Sequence, residues 1–205
     1  VQVATYHAKN DFVHWPIGQG RYQGSDYTGQ DLSWWKNHPK AVSCFAWDLR
    51  EDFMGGYDHG QDAGVVHIGN HHVVCGAKLW EWAPNNIWDT QVLTDSDGPY
   101  AELMVGAYSD NQPDYSWIKP YEVKEFTQYW YPVQAIGGFK QANLDAAINL
   151  EREGSQVKLG VQTTSVQKRA QLVLSAAGRT VLDEKIILSP DKPFVQAVTV
   201  PSDIR

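Results

Sequence analysis

The residues YAELMVGAY at 100–108 place one carboxylate among aromatic and apolar side chains. Small or aliphatic residues occupy every odd-numbered position, whereas Tyr100, Glu102 and Tyr108 occupy even-numbered positions. Because successive side chains of a strand point to opposite faces of its sheet, Glu102 is predicted to share a face with the two tyrosines. Aromatic rings cover the apolar faces of a sugar, while a carboxylate binds its hydroxyl groups or transfers a proton. This run therefore predicts a carbohydrate site with Glu102 at its centre.

Four of the seven histidines lie in residues 55–72, GGYDHGQDAGVVHIGNHH, which raises the question of a metal site. In a strand that rises about 3.3 Å per residue, His67 and His71 would lie about 13 Å apart. That separation is too large for one ion, because metal–nitrogen bonds are about 2 Å long. A mixed site stays open if Asn70 breaks the strand or if Asp58 and His59 fold back. The spacing favours no metal, and no cofactor is predicted.

Two polar triplets in this stretch, at 57–59 and 70–72, are better explained as hydrogen-bonding groups around a pocket. An imidazole that a carboxylate holds can act as a general acid or base near neutral pH. The predicted catalytic acids are His71 and His72, and the predicted partners of substrate hydroxyls are Asp58, His59 and Asn70. The alternative is that one histidine of each triplet is a core residue that fixes its loop.

Trp80, Tyr100 and Asp110 complete the predicted substrate-binding residues, with the two rings as stacking surfaces and the carboxylate as a partner of hydroxyls. Each has a structural alternative, because large rings fill many sheet interiors and Asp favours turns. Glu102 itself would be structural if it pairs with Arg50 or a lysine. The position of Glu102 relative to the histidines decides between catalysis and separate structural roles.

Composition narrows the class of partner. The net charge of -7 and the absence of any basic run argue against nucleic acid. No apolar run approaches the roughly 20 residues that a membrane helix needs. Nine Trp and ten Tyr suit half-wet surfaces such as sugar grooves and protein interfaces. Cys44 and Cys75 lie in apolar runs, which favours buried free thiols over a disulfide.

Strand-like runs separated by Gly, Pro, Asn and Asp predict an all-β chain. The predicted strands are 42–47, 64–68, 71–75, 78–82, 100–108, 122–131, 157–163, 170–175, 180–188 and 194–200. Residues 141–148 are predicted to form a short helical turn or an irregular passage, and Ala177-Gly178-Arg179 a hairpin turn.

A domain boundary is predicted at 152–156, because the sequence after it contains no Trp, Tyr or His. Residues 1–152 then hold the candidate sugar site. Residues 153–205 have the strand spacing of a small immunoglobulin-like sandwich but are short for a complete one. They are expected to form an incomplete β-sandwich segment.

Several long motifs resemble those of a bacterial domain family of unknown function, whose members have a galactose-mutarotase-like main domain often followed by tetratricopeptide repeats. The motifs are SWWKNHP (33–39), REDFMGGYDHG (50–60), AGVVHIGNHH (63–72), KLWEW (78–82), LTDSDGPYAELMVGAYSDNQPDYSW (93–117) and QYWYPVQAIGG (128–138). The resemblance implies a β-supersandwich over residues 1–152. Because a full supersandwich is longer, the chain is expected to hold its later portion and to pair with a companion segment or a second copy.

The resemblance implies a carbohydrate-active protein. In mutarotase-like enzymes a carboxylate removes the proton of the anomeric hydroxyl while a histidine protonates the ring oxygen, roles that pattern assigns here to Glu102 and to His71 or His72. A glycoside hydrolase would also need a second carboxylate, for which Asp97, Asp110 and Glu122 are candidates. The alternative is a non-catalytic glycan-binding or scaffold module.

Overall fold

The computed structural model describes residues 2–4, 16–22, 24–47, 49–81, 100–107 and 117–201, and this part of the chain is β structure joined by turns. The strands are β1 (Gln2–Ala4), β2 (Arg21–Tyr22), β3 (Ser25–Asp26), β4 (Val42–Trp47), β5 (Phe53–Asp58), β6 (Ala63–Gly69), β7 (Gly76–Glu81), β8 (Ala101–Gly106), β9 (Gln128–Gln134), β10 (Gln141–Ala142), β11 (Ala146–Glu153), β12 (Gln156–Thr163), β13 (Gln167–Ala176), β14 (Arg179–Leu188) and β15 (Phe194–Thr199). The described residues contain no α-helix, only the short 3-10 helix Trp35–Asn37. The predicted all-β class is confirmed.

The chain divides into two compact units. Unit 1 contains residues 1–56 and 69–129, and unit 2 contains residues 57–68 and 130–205. The division passes through β5, β6 and β9.

Unit 1 is built around a three-stranded antiparallel sheet of order β4-β7-β8. Cys44, Leu79 and Leu103 are aligned across its strands. The inner face covers a core of Tyr27, Leu32, Cys44, Leu49, Met54, Ala77 and Leu79, against which Ala101, Leu103 and Val105 pack. Burying one such aliphatic side chain contributes about 1.5–3 kcal/mol to folding. The apolar face predicted for 100–108 is therefore the core face.

The two cysteines are free thiols, as the apolar runs around them predicted. Cys44 belongs to the buried core of unit 1, whereas Cys75 is partly buried. The Cys75 Sγ atom lies 3.6 Å from the carbonyl oxygen of Ala107.

Unit 2 contains a four-stranded sheet of order β10-β11-β12-β15 and the separate hairpin β13–β14. Alternate residues of β12 and β15 pack against that hairpin in two clusters, one of which contains Leu159, Val161, Leu188 and Phe194. The β13–β14 turn confirms the predicted hairpin, since Ala177 and Gly178 have φ of 48° and 75°. Two central residues with positive φ suit a tight turn whose twist matches the strands.

A close approach in unit 2 explains one glycine. A Cβ atom added to Gly160 would lie 2.6 Å from the carbonyl oxygen of Ile136. The buried Asn149 side chain donates through Nδ2 to the same oxygen at 2.9 Å. The sheet and the segment at 135–139 therefore leave no room for a side chain at position 160.

Residues 152–156, where the sequence predicts a domain boundary, span the end of β11, the turn after it and the start of β12. Glu153 pairs with Gln156 across this turn, and Gly154 has a φ of 61°. The change in composition therefore coincides with the tip of a hairpin.

The strand predicted at 71–75 is wrong, because these residues form a turn. The Asn70 side chain accepts the His72 N–H at 3.0 Å. The Asn70 carbonyl oxygen accepts the N–H groups of Val73 and Val74 at 3.0 and 2.7 Å. Local bonds of this kind compete with strand pairing and outweigh the strand preference of two valines.

Three further expectations differ from the structure. The strand predicted at 122–131 begins only at Gln128, and the sequence patterns did not indicate β5. Residues 141–148 are neither helical nor irregular, since they form β10 and the start of β11. Between these strands the Asn143 side chain accepts two backbone N–H groups, both at 2.9 Å, and this tight turn was mistaken for a break in regular structure.

Candidate functional site

The outer face of the unit 1 sheet carries Trp80 and Glu102, two of the residues that the sequence predicted for a sugar site. Ser43, Trp80 and Glu102 are aligned across β4, β7 and β8, and Lys78 faces Met104 in a neighbouring row. All five side chains are partly exposed. One face of the sheet therefore stabilises unit 1, and the other presents an aromatic ring, a carboxylate and an amine.

Tyr100, Trp80 and Glu102 form a compact group on this face. The Tyr100 hydroxyl donates to Glu102 Oε1 at 2.9 Å. The ring centroids of Trp80 and Tyr100 lie 5.6 Å apart with an angle of 49° between the planes. The bond to Glu102 raises the pKa of Tyr100 above its ordinary value, so the hydroxyl stays a donor at neutral pH. A carboxylate has about four acceptor positions, so this bond leaves capacity for ligand hydroxyls.

A second polar group in unit 1 surrounds His71. Asp52 Oδ1 accepts the His71 backbone N–H at 2.9 Å and lies 2.6 Å from ring atom Nδ1. The two bonds hold the imidazole, whose side chain is 23% exposed. The centroids of the His71 and His72 rings lie 4.0 Å apart, and the backbone N–H of His72 donates to Asn70 Oδ1. The three residues predicted at 70–72 thus do lie together.

Asp52 is the functional candidate that sequence reasoning missed. Burial by itself raises the pKa of the Asp52 carboxyl. The bonds from the His71 backbone and ring lower this pKa by more than burial raises it, so the pKa lies below its ordinary value. An ionised carboxylate at Nδ1 orients the ring, so the other ring nitrogen can exchange protons. Recognising β5 in the sequence would have indicated Asp52, because this residue directly precedes the strand. The backbone carbonyl of Asp52 accepts the Gly69 N–H at 2.8 Å, which brings Asp52 close to the 70–72 turn.

Asp58 and His59 belong to unit 2, so the structure does not group them with the other predicted residues in one unit. Asp58 Oδ1 accepts the Gly60 N–H at 2.8 Å, as expected of a turn-forming aspartate. The His59 ring lies edge-on to Tyr57 at 5.2 Å. Burial lowers the pKa of His59. Asp58 therefore has a partner in the turn after β5, and the His59 ring contacts a ring of β5 itself.

The remaining histidine of the 55–72 stretch, His67, is a core residue. It is 2% exposed in β6, and its ring lies 4.8 Å from the Trp130 ring. Burial lowers the pKa of His67 to about 4, so the ring is neutral at pH 7. His67 therefore belongs to the packed interior of unit 2.

No group of three metal-ligating side chains occurs in the part of the chain that the structure describes. Asp110 lies outside the described residues, as do Asp97 and Tyr108. Within the described ranges, no helix has the length and apolar character to span a bilayer.

Unit 2 contains a groove of about 840 Å³ that none of the predicted site residues lines. Its walls are mostly charged and include Arg152 and Lys158, with Lys140 Nζ 3.9 Å from Glu151 Oε1. No aromatic ring lines this groove. It therefore lacks the stacking surface that the outer face of unit 1 provides.

Comparison with known families agrees with the resemblance at the level of a family of unknown function. Residues 141–205 match the second domain of YphG-like proteins. No solved structure matches the chain. Residues 3–133, well over half of the 205-residue chain, match the model of a domain of unknown function, DUF5107. The chain therefore belongs to the DUF5107 family.

Proposed function

We propose that this protein binds carbohydrate on the outer face of the β4-β7-β8 sheet. The observation that carries the proposal is the group of Trp80, Tyr100 and Glu102, in which two tilted rings flank a carboxylate held by a tyrosine hydroxyl. The rings offer apolar surface to a sugar, and the carboxylate accepts its hydroxyls. The finer fold proposal is that residues 1–152 form part of a galactose-mutarotase-like supersandwich.

The expected affinity for one sugar unit is modest. Two ring contacts and two hydrogen bonds contribute about 1 kcal/mol each. Their sum of about 4 kcal/mol, before the cost of association, corresponds to a Kd no tighter than about 1 mM. Weak binding of one sugar unit is typical of a protein surface that binds a ligand tightly only when several of its units make contact at once.

Catalysis is the second candidate, and the Asp52–His71 pair is the observation that favours it. A carboxylate-held imidazole resembles the base–orienter arrangement of acid–base enzymes. In an epimerase-like reaction, Glu102 would remove the proton of the anomeric hydroxyl while His71 protonates the ring oxygen as the ring opens. Reclosure on the other face would return both protons. This reaction requires Glu102 and His71 to contact the same sugar.

Hydrolysis is a further form of the catalytic proposal. It needs a second carboxylate about 5–5.5 Å from Glu102 for retention or about 6.5–9.5 Å for inversion. Of the three candidates from the sequence, only Glu122 lies in the described residues.

Substitution at Glu102 and Trp80 tests the proposal. Glu102→Gln keeps the shape but removes the charge, and Trp80→Ala removes a ring. We expect each change to weaken binding of a neutral sugar panel about tenfold by calorimetry, the effect of about 1.4 kcal/mol. The exposed Glu153 of unit 2 provides the matched control, Glu153→Gln, which should bind as the original protein does.

A further variant, His71→Gln, distinguishes binding from turnover. If His71→Gln abolishes mutarotation or release of reducing ends while sugar binding persists, the catalytic candidate is supported. If the unaltered protein binds sugar but turns over no member of the panel, the binding module stands alone. Equal binding by the original protein, Glu102→Gln and Trp80→Ala would disprove the proposed site.

A further inference from the structure

The segment at 117–129 exposes an unusual amount of aromatic surface. It contains four rings, Trp117, Tyr121, Phe126 and Tyr129, which we call the aromatic strip. Trp117 is 83% exposed and Tyr121 fully exposed, while Phe126 and Tyr129 are 42% and 50% exposed. Large exposed apolar surface on a folded chain marks a binding site more often than chance.

The strip is held in place by local bonds. The Glu122 N–H donates to the Lys119 carbonyl oxygen at 3.0 Å, and Glu122 Oε2 accepts the Lys119 N–H at 2.8 Å. These reciprocal bonds close a turn that projects Tyr121, whose φ is 65°. The turn therefore presents a ring to solvent from a defined backbone position.

One hydrogen bond connects the strip to the strand that carries Glu102. Gln128 Nε2 donates to the Val105 carbonyl oxygen of β8 at 3.3 Å. Gln128 directly precedes Tyr129, the last ring of the strip. The strip thus ends beside the sheet whose outer face carries the proposed sugar site, and both belong to unit 1.

The chemistry of the strip fits a neutral, elongated ligand. Its charged residues, two lysines and two glutamates, cancel. The rings are spread over 13 residues, so an extended chain would separate the first from the last by at most about 40 Å. Protein hot spots instead gather near the centre of an interface. Successive rings along a segment suit successive units of a polymer.

We propose that the aromatic strip extends the carbohydrate site, so that the ligand is a neutral oligosaccharide or polysaccharide chain rather than a single sugar. This inference rests on the proposed function. Trp80, Tyr100 and Glu102 hold one unit, and the strip holds further units along the chain. Each ring adds about threefold to tenfold in affinity, the size of one stacking contact.

Chain length provides the experiment. Calorimetry with galacto-, cello- and malto-oligosaccharides of one to six units should show at least tenfold tighter binding of the longest preferred member than of its monosaccharide. Trp117→Ala combined with Tyr121→Ala should remove this gain while leaving monosaccharide affinity unchanged. Trp117→Tyr, made alone in the original protein, keeps a ring at this position and should retain most of the gain. Because both side chains are exposed, these changes leave the core intact.

Val123 gives the matched control, since it is 83% exposed in the same segment but has no ring. Val123→Ala should keep the full dependence on chain length. Equal affinity for one and six units, or an equal loss in Val123→Ala, overturns the inference while the proposed function stands. Absence of binding to any sugar overturns both. If the ring substitutions change only the sedimenting mass, the strip is a protein contact and the inference is wrong.

Discussion

Two tyrosine–carboxylate pairs in this molecule have the same chemistry and different surroundings. Tyr57 donates to Asp62 Oδ1 at 2.6 Å in unit 2, and Tyr100 donates to Glu102 Oε1 at 2.9 Å in unit 1. Tyr57 is 1% exposed, and its oxygen also accepts the N–H groups of Ile136 and Gly137 at 3.3 and 3.2 Å. Tyr100 is partly exposed beside a second ring. The tyrosine oxygen of the first pair is buried and takes part in three hydrogen bonds, whereas the tyrosine of the second pair is partly exposed and bonds to a carboxylate on the outer face of the sheet.

The comparison shows that residue type alone does not distinguish a site from a structural contact. Burial and the Asp62 bond raise the pKa of Tyr57 to about 12. The raised pKa of Tyr100 has the bond to Glu102 as its largest cause. Exposure and remaining hydrogen-bonding capacity are therefore better guides to function than the pair itself. Four predictions test this distinction.

The largest effect is expected from Tyr57→Phe. Loss of the hydroxyl leaves two backbone N–H groups and the Asp62 carboxylate without their partner, at about 1–3 kcal/mol for each group that stays buried. We expect the free energy of unfolding to fall by about 3 kcal/mol in urea titrations followed by tryptophan fluorescence. A loss below that of Tyr100→Phe would contradict the structural role of Tyr57.

Acid should destabilise the protein through His67. Its pKa is about 4 in the folded chain and 6.5 ordinarily, so the unfolded state binds the proton more tightly. The contribution of His67 to the free energy of unfolding is fully present above pH 6.5 and is lost as the pH falls toward 4. Between pH 7 and pH 4.5 the loss from this residue should be about 2 kcal/mol. Urea midpoints of the original protein and of His67→Phe, compared at both pH values, should show a smaller acid loss in the variant.

Asp52→Asn should affect His71 more than it affects the fold. The amide keeps the shape but removes the negative charge beside Nδ1, so the charge-assisted bond that holds the His71 ring is lost. The expected cost in stability is about 1–2 kcal/mol, since the Asp52 side chain is 56% exposed. Nuclear magnetic resonance measures the change as a shift of the His71 ring proton and nitrogen signals at pH 7, with His72→Gln resolving the assignment. Unchanged His71 ring signals would rule out the orienting role of Asp52.

The smallest change in stability is expected from Tyr100→Phe. The carboxylate to which the hydroxyl donates is partly exposed, so loss of this bond should cost less than about 1 kcal/mol. Sugar affinity should nevertheless fall about threefold to fivefold, because Glu102 loses the donor that orients it. Calorimetry and urea titration on the same preparation separate the two effects. A large loss of stability with unchanged affinity would make Tyr100 a structural residue like Tyr57.

Local alternation was sufficient to predict the strand that carries Glu102 and the core face opposite it. The Ala177-Gly178 hairpin was equally readable, because few residues other than Gly tolerate positive φ. The strand prediction for residues 71–75 was wrong because Val73 and Val74 favour strands. The bonds that form the turn instead come from the side chain and the backbone carbonyl of Asn70. Such side-chain bonds depend on geometry that a pattern of residue types does not contain.

The Asp52–His71 pair was out of reach for a different reason. The two residues are 19 positions apart and meet because β5 and β6 return the chain upon itself. β5 reads FMGGYD, and its two glycines conceal the strand because glycine has low strand preference. Buried on both sides, such a strand shows no alternation of apolar and polar residues.

The bond from Gln128 to Val105 also concerns the edge of a sheet. β8 is the outer strand of the sheet that the described residues form, and an outer strand offers its backbone groups to other extended chains. The Gln128 amide occupies the Val105 carbonyl oxygen of this strand. An added strand that used this oxygen would have to displace the Gln128 side chain. The contact at the end of the aromatic strip therefore also covers one backbone group of an outer strand.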